Sequence, residues 1–253
     1  MASSWFSADG YWNYADYAGF SNFGITRDGL VDMYRIPKFA YYFLKSQRDP
    51  ALVRTDVDAG PTVFIANQWT PTSPTLVRVY GNCDQVSLSL NGTPIATNAP
   101  ETGTALQHPP FTFDLGTFTP GTLRAGCLIG GAEVATFTRR TPGAATRLRL
   151  SPEATTLLAD ASDARLVFID VVDANGTVVP TAANQVSLTV KGPGSIVGPS
   201  VVTVKGGQLA AWVRTQRVAG TITVSASVPG LNAASVDLTS VPVSDLPPMP
   251  ADR

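Results

Sequence analysis

The groups from which active sites are usually built are scarce in this chain. There is one histidine, His108, followed by Pro109 and Pro110. A histidine-dependent triad or a multi-histidine metal centre would have to be assembled around that single loop residue, and an ordinary solvated loop histidine is the simpler reading. Two cysteines, Cys83 and Cys127, cannot make a four-ligand zinc site on their own. Gly130-Gly131 sits between two strand-like runs and reads as a turn, and no glycine-rich phosphate loop precedes a helical pattern. Asn91-Gly92-Thr93 and Asn175-Gly176-Thr177 satisfy the N-glycosylation rule, but each is also an Asn-Gly hairpin turn, which explains it without glycans. Trp69 and Trp212 are single aromatics in strand-rich segments and read as core or isolated surface rings. No metal and no cofactor is expected.

The composition narrows the field further. In 253 residues, 18 basic and 19 acidic side chains leave a net charge of -1, so there is no electrostatic footprint for nucleic acid or an anionic membrane. Apolar runs such as Phe39 to Leu44 fall far short of the roughly 20 residues that a transmembrane helix needs. The opening Met-Ala-Ser-Ser-Trp-Phe lacks the charged-then-apolar pattern of a signal peptide. Disorder, collagen, coiled coil and a membrane span are excluded.

The elements available to position any site fall into distinct regions. Thirteen of the 22 aromatic residues lie in residues 1–49. There Gly10 to Tyr17 reads as a strand with its exit loop, and Gly19 to Asp32 as a connecting loop. Ile36, Phe39, Ala40, Phe43 and Leu44 recur with helical spacing, and Pro37 suits a first helical turn, which predicts about three turns of amphipathic helix. Beyond Arg48-Asp49-Pro50 the chain changes to short Val/Thr/Leu-rich runs broken by Gly, Pro and Asn, the mark of all-β modules. Strands are expected at 62–66, 76–80, 86–90, 94–97, 111–115, 122–128 and 132–137, then at 148–150, 165–172, 186–190, 201–204, 209–213 and 221–228. This predicts a mainly β protein, with β-sandwich modules at 50–142 and 143–241 and a tail at 242–253.

Trp12-Asn-Tyr-Ala-Asp16-Tyr17-Ala-Gly19 resembles the Trp-x-x-x-Asp-Tyr-x-Gly pattern that closes the (β/α)8 barrel in glycoside hydrolase family 2, the β-galactosidase and β-glucuronidase group. Gly29-Leu-Val-Asp32 and Pro37-Lys38-Phe-Ala-Tyr41-Tyr42 resemble the run on that barrel's final helix. Val79 to Gly92 and Gly121 to Ala125 are similar to the immunoglobulin-like domain that follows it. Asp170-Val-Val-Asp173-Ala-Asn175-Gly176 and Gly220 to Ala226 are similar to bacterial immunoglobulin-like modules appended to such enzymes. The resemblance implies two immunoglobulin-like β-sandwiches preceded by a short strand-helix remnant of the barrel, residues 1–49.

Family members cleave β-glycosides with retention, using two glutamates about 5–5.5 Å apart. This chain has only Glu101, Glu133 and Glu153, all in the sandwich region. The resemblance therefore implies a C-terminal accessory region of a retaining β-glycosidase, not catalytic alone, whose parent enzyme takes a carbohydrate partner. Trp12 is the residue it places at the sugar, as a stacking wall at the carboxyl end of the final strand, with Asp16 a second candidate on the substrate side. An aspartate in a tight exit loop, as at Asp16 and Asp32, more commonly accepts backbone N–H bonds. The family implies an extracellular or periplasmic setting, where Cys83 and Cys127 would bridge; two buried free thiols are the alternative. The apolar helix stripe is expected to dock on the middle module while leaving surface for self-association through residues 1–49. The competing reading is a free-standing carbohydrate-binding or adhesion protein of immunoglobulin-like modules.

Overall fold

A computed structural model describes residues 13–18, 24–55 and 58–243, and the chain divides into two compact units between Thr141 and Pro142. The first unit opens with the two-residue strands β1 (Tyr17–Ala18) and β2 (Ile25–Thr26), paired antiparallel, and the helix α1 (Phe39–Ser46). The sandwich follows as β3 (Val63–Ile65), β4 (Leu76–Gly81), β5 (Gln85–Leu90), β6 (Thr93–Asn98), β7 (Phe111–Asp114), β8 (Thr122–Ile129) and β9 (Ala132–Arg140). Its two antiparallel sheets run β3-β4-β7 and β6-β5-β8-β9.

Period-two alternation builds this core. Val77 and Val79 on β4 and Phe111 and Phe113 on β7 face Val86 and Leu88 on β5 and Leu123, Ala125 and Cys127 on β8. Trp69 lies fully inside the same cluster, its indole N–H donating to the Thr119 carbonyl at 3.1 Å. Asn91 and Gly92 both take positive φ, 52° and 81°, and turn β5 into β6 as the Asn-Gly pair predicts. Gly130-Gly131 turns β8 into β9.

The second unit contains β10 (Ala145–Pro152), β11 (Thr156–Leu158), β12 (Ala164–Asp173), β13 (Gln185–Lys191), β14 (Gly194–Val197), β15 (Val201–Thr203), β16 (Gln208–Thr215), β17 (Gly220–Ser227) and β18 (Ala234–Val241). The sheets are β10-β12-β16-β14 and β11-β18-β17-β13-β15, antiparallel except for the β11–β18 pair. Leu157, Val167, Val213, Ile222, Val224 and Leu238 close the core between them.

Three strands of this unit were not expected. β14 begins at Gly194, at the end of Lys191-Gly192-Pro193-Gly194, a run whose glycines and proline favour a turn, β11 is three residues long, and half of the positions of β18 are polar. The helix also departs from its expected form. It has eight residues, starting at Phe39, because Pro37 is held in an antiparallel bridge with Val31 and the Lys38 N–H donates to the Leu30 carbonyl at 3.0 Å. The chain is thus still extended at Lys38, and Pro37 lies outside the first turn.

Candidate functional site

Of the two residues that the resemblance places at a sugar, Trp12 lies outside the described residues, and Asp16 sits in a knot of backbone bonds just beyond it. Val31 is its centre: its N–H donates to the Tyr14 carbonyl and its carbonyl accepts from Asp16 N–H, both at 3.0 Å, while Leu30 N–H reaches the Asn13 carbonyl at 3.1 Å. The Asp16 carboxylate is 7% exposed and uses Oδ1 twice, accepting from Gly29 N–H at 3.0 Å and from Lys38 Nζ at 2.5 Å. A side chain at residue 29 would collide with the backbone of Ala15 and Asp16, so only glycine lets the two segments close this far. Lys38 Nζ also caps the Arg27 carbonyl at 3.2 Å.

Asp32 builds the neighbouring turn. Its Oδ1 accepts from Tyr34 N–H at 2.8 Å and Ile36 N–H at 2.9 Å, around Arg35 in the left-handed region at φ 64°. Burial pushes the Asp32 carboxyl above the usual range; the two N–H donors oppose this, nearby Asp16 adds to it, and Lys38 reduces it. Asp16, Gly29, Asp32 and Lys38 are therefore one fastening that holds residues 13–18 against the approach to α1. Both aspartates do accept backbone N–H bonds. The Pro-Lys pair stood in the sequence pattern without a role, and the structure gives Lys38 one.

From this knot the helix lies on the outer face of β3. Tyr42 stacks on Phe64 with ring centroids 3.7 Å apart and planes within 4°, while Phe39 meets Phe64 and Phe43 meets Tyr80 edge-on. The packed positions are thus Phe39, Tyr42, Phe43 and buried Ser46, rotated from the expected stripe, and Leu44 is exposed. Phe64 is what turns the helix: it supplies a flat ring for Tyr42 and also receives the Arg139 guanidinium 5.3 Å from its centroid. Burial pushes the Tyr42 phenol up, and the Arg139 charge opposes it.

Three polar clamps finish the joint. The Gln47 side chain donates to the His108 carbonyl at 2.8 Å and accepts from its N–H at 3.2 Å. His108 is not the solvated residue expected, since its Nε2 is shielded from water. Asn82, almost fully buried, accepts from Thr62 N–H at 2.7 Å and donates to the carbonyls of Arg48 at 3.0 Å and Gly60 at 3.1 Å. Lys45 pairs with Asp58. Next to Asn82, Cys83 is joined to Cys127 in a disulfide with Cα atoms 5.4 Å apart.

The glutamates are all engaged elsewhere. Glu101 accepts from the Thr112 hydroxyl. Glu133 forms a two-point pair with Arg124 at 2.5 and 2.9 Å, which holds its carboxyl below the usual range. Glu153 accepts from Leu166 N–H at 3.4 Å in the second unit. Among the described residues no group of three His, Cys, Asp or Glu side chains could hold a metal, and no helix is long and apolar enough to cross a membrane.

Comparison with known proteins gives this arrangement a context. Glycoside hydrolase family 2 C-terminal domain 5 matches residues 148–237, and a domain of unknown function, DUF4982, matches residues 73–135. The β-galactosidase of Thermoanaerobacter pseudethanolicus is 33% identical over 234 residues, covering 85% of this chain and 31% of that protein. A β-galactosidase sequence from Rhizobium radiobacter is 33% identical over 109 residues, covering 42% of this chain and 79% of that sequence. A β-glycosidase from Bacteroides vulgatus shares the fold, with a TM-score of 0.78 at 22% identity over 89% of this chain and 30% of its own. The chain thus spans under a third of the length of the Thermoanaerobacter enzyme.

Proposed function

We infer the role of this chain from the family to which it belongs, glycoside hydrolase family 2, whose C-terminal region it matches. We propose that it serves a β-galactosidase-like retaining β-glycosidase as a non-catalytic accessory region in carbohydrate metabolism. The observation that carries this reading is the fastening of α1 and the residues just after it to the first sandwich through the Tyr42–Phe64 stack and the Asn82 and Gln47 clamps. A helix held in this way fixes the preceding knot of Asp16, Gly29, Asp32 and Lys38. In the parent enzyme the Trp12 indole would stack on the apolar face of the sugar, with Asp16 and Lys38 holding its segment in register.

The chemistry of the glutamates supports catalytic inactivity of the chain alone. Retention needs one carboxylate as nucleophile and one carboxylic acid held protonated, about 5–5.5 Å apart. Glu133 is pulled the opposite way by Arg124, Glu101 is bound to Thr112, and Glu153 belongs to the second unit. The disulfide supports an oxidising, extracellular or periplasmic setting. The exposed side chains of Tyr14, Met33 and Leu44 support self-association through residues 1–49.

The test is an assay of the purified chain on nitrophenyl β-galactoside and β-glucuronide, together with sequencing of the frame upstream of the Met1 codon. No turnover and an in-frame barrel bearing two glutamates are expected. Turnover that disappears when Glu101, Glu133 or Glu153 is replaced by Gln would overturn the reading.

A further inference from the structure

The outer face of the sheet β6-β5-β8-β9 carries a groove of about 470 Å³, within the roughly 300–1,000 Å³ of small-ligand sites. Its floor follows from the pleat. Val86, Leu88 and Leu90 on β5 turn inward, so Ser87 and Ser89 face out. Thr97 stands opposite Ser87 on the edge strand β6, and Arg124 opposite Ser89 on β8. A bulge shapes the wall. Leu88 pairs with Ala96 but Ser89 pairs with Pro94, which leaves Ile95 without a partner and bends the edge around the groove. None of the Ser87, Ser89 and Thr97 hydroxyls has a hydrogen-bond partner among the described residues.

Beside the groove, Gly126 stands opposite Ser87 in the central strand. A side chain there would run into the Ser87 hydroxyl, 2.8 Å from where its Cβ would lie, and into the Glu133 carboxylate. The missing Cβ brings a hydroxyl and a carboxylate together over bare backbone. Arg124 and Glu133 satisfy each other's charge, so the face offers donors and acceptors with no net charge, next to the apolar Pro94 and Ile95. Spaced hydroxyl partners beside an apolar wall complement a pyranose, which has a ring of hydroxyls and a C–H face. We propose that this groove binds a neutral saccharide unit. Glu133 does not line the groove, but its carboxylate shares the space over Gly126 with the Ser87 hydroxyl, so an acidic sugar seated on Ser87 would set one carboxylate beside another.

This proposal does not depend on the accessory role, because its test reads binding and not turnover. The isotope-labelled full chain is titrated with methyl β-galactoside and methyl β-glucuronide and followed by amide NMR. Saturable shifts are expected at residues 87–97 and 124–126 with the galactoside, and affinity at least tenfold weaker for the glucuronide. Ser87→Ala with Ser89→Ala should weaken galactoside binding about tenfold, or ~1.4 kcal/mol, with the remaining spectrum unchanged. Gly126→Ala, which displaces Glu133, should weaken it as well. Absence of saturable shifts, shifts centred elsewhere, equal binding of the glucuronide, or undiminished binding by the serine variant would each overturn the proposal.

Discussion

Where the first sandwich buries Trp69, Phe111 and Phe113 beside a disulfide, the second closes on Leu157, Val167, Val213, Ile222, Val224 and Leu238 and contains no cysteine. Both bury polar residues, Ser46, Asn67, Thr70 and Asn82 in the first unit and Asp170, Asp173, Thr215 and Ser240 in the second. Both have a strand covered on its two faces. On β12 both faces are buried, Val167, Ile169 and Val171 on one and Leu166, Asp170 and Val172 on the other. On β3 the cover is α1, drawn from a segment of different composition. A sandwich that must carry a foreign helix needs a stiff interior behind the docking face, and large rings plus a covalent tie provide one. The second sandwich is closed by aliphatic packing without large buried rings or a disulfide.

The sharpest way to break this comparison is Trp69→Ala. It should cost the first unit about 3–5 kcal/mol. Two-transition calorimetry should show that loss in one transition alone; a matching fall in the other would mean that the units do not melt separately. Replacing both Cys83 and Cys127 by Ala comes next. The bridge closes a span of 44 residues, so its loss should cost about 3–4 kcal/mol in the chain-entropy model, read as a shift in denaturant midpoint of the same transition. In the second unit the equivalent strike is Asp170→Ala, which strands Arg149, bound to Asp170 at 2.6 and 3.0 Å, and Gln208, bound at 2.8 Å. About 2 kcal/mol should be lost there, because the pair is charge-assisted but its arginine is partly wet.

Smaller effects probe the joint itself. Asn82→Ala leaves the Thr62 N–H and the Arg48 and Gly60 carbonyls without their partner, at about 1–3 kcal/mol. Limited proteolysis should then cut between residues 48 and 62 sooner than in the parent chain; an unchanged cutting pattern would show that the aromatic stack and the Gln47 and Lys45 clamps hold the joint without Asn82. The least effect concerns pH. The Asp32 carboxyl is raised by burial, so the folded segment binds a proton more tightly than the unfolded chain does. Its contribution is fully present below the ordinary carboxylate range and declines as pH rises through the raised value. Asp32→Asn, which keeps an oxygen for Tyr34 and Ile36, should flatten that slope in amide-exchange protection of these two residues across pH 3 to 7. A slope that persists unchanged would assign it to another group.

Much of the sandwich architecture could be read from period two. Alternation at Val86-Ser87-Leu88-Ser89-Leu90 and the Asn91-Gly92 turn locate β5, the hairpin and the core face together. What could not be read are features that depend on distant partners. The helix stripe looked like Ile36, Phe39, Ala40, Phe43 and Leu44, since periodicity ranks apolar side chains and cannot know that Phe64 would offer a ring to Tyr42. Pro37 looked like a helix start, since nothing local announces its bridge to Val31. β18 was hidden because Ser240 is buried through bonds to the Val218 and Gly220 carbonyls, which a hydropathy pattern does not register. At the candidate site, Asp16 and Asp32 were legible as loop acceptors from residue type and context. The Lys38, Gln47 and Asn82 clamps were not, because each answers a backbone group far away in sequence or belongs to a polar residue type with many uses.

The two Asn-Gly turns, alike in sequence, set different rates of chemical ageing. Deamidation proceeds when the amide nitrogen of the following glycine attacks the asparagine side-chain carbonyl and closes a succinimide ring. At Asn91 both ends of the side chain are occupied, Oδ1 by Thr122 N–H at 2.9 Å and Nδ2 by the Pro120 carbonyl at 3.2 Å, so the carbonyl is held away from its attacker. At Asn175 the bond to Asp173, at 2.9 Å, comes from the backbone N–H, and the side chain has no such tether among the described residues. On prolonged storage isoaspartate should accumulate at residue 175 well ahead of residue 91. The second unit would then carry the record of the molecule's age while the hairpin of the first still reads as newly made.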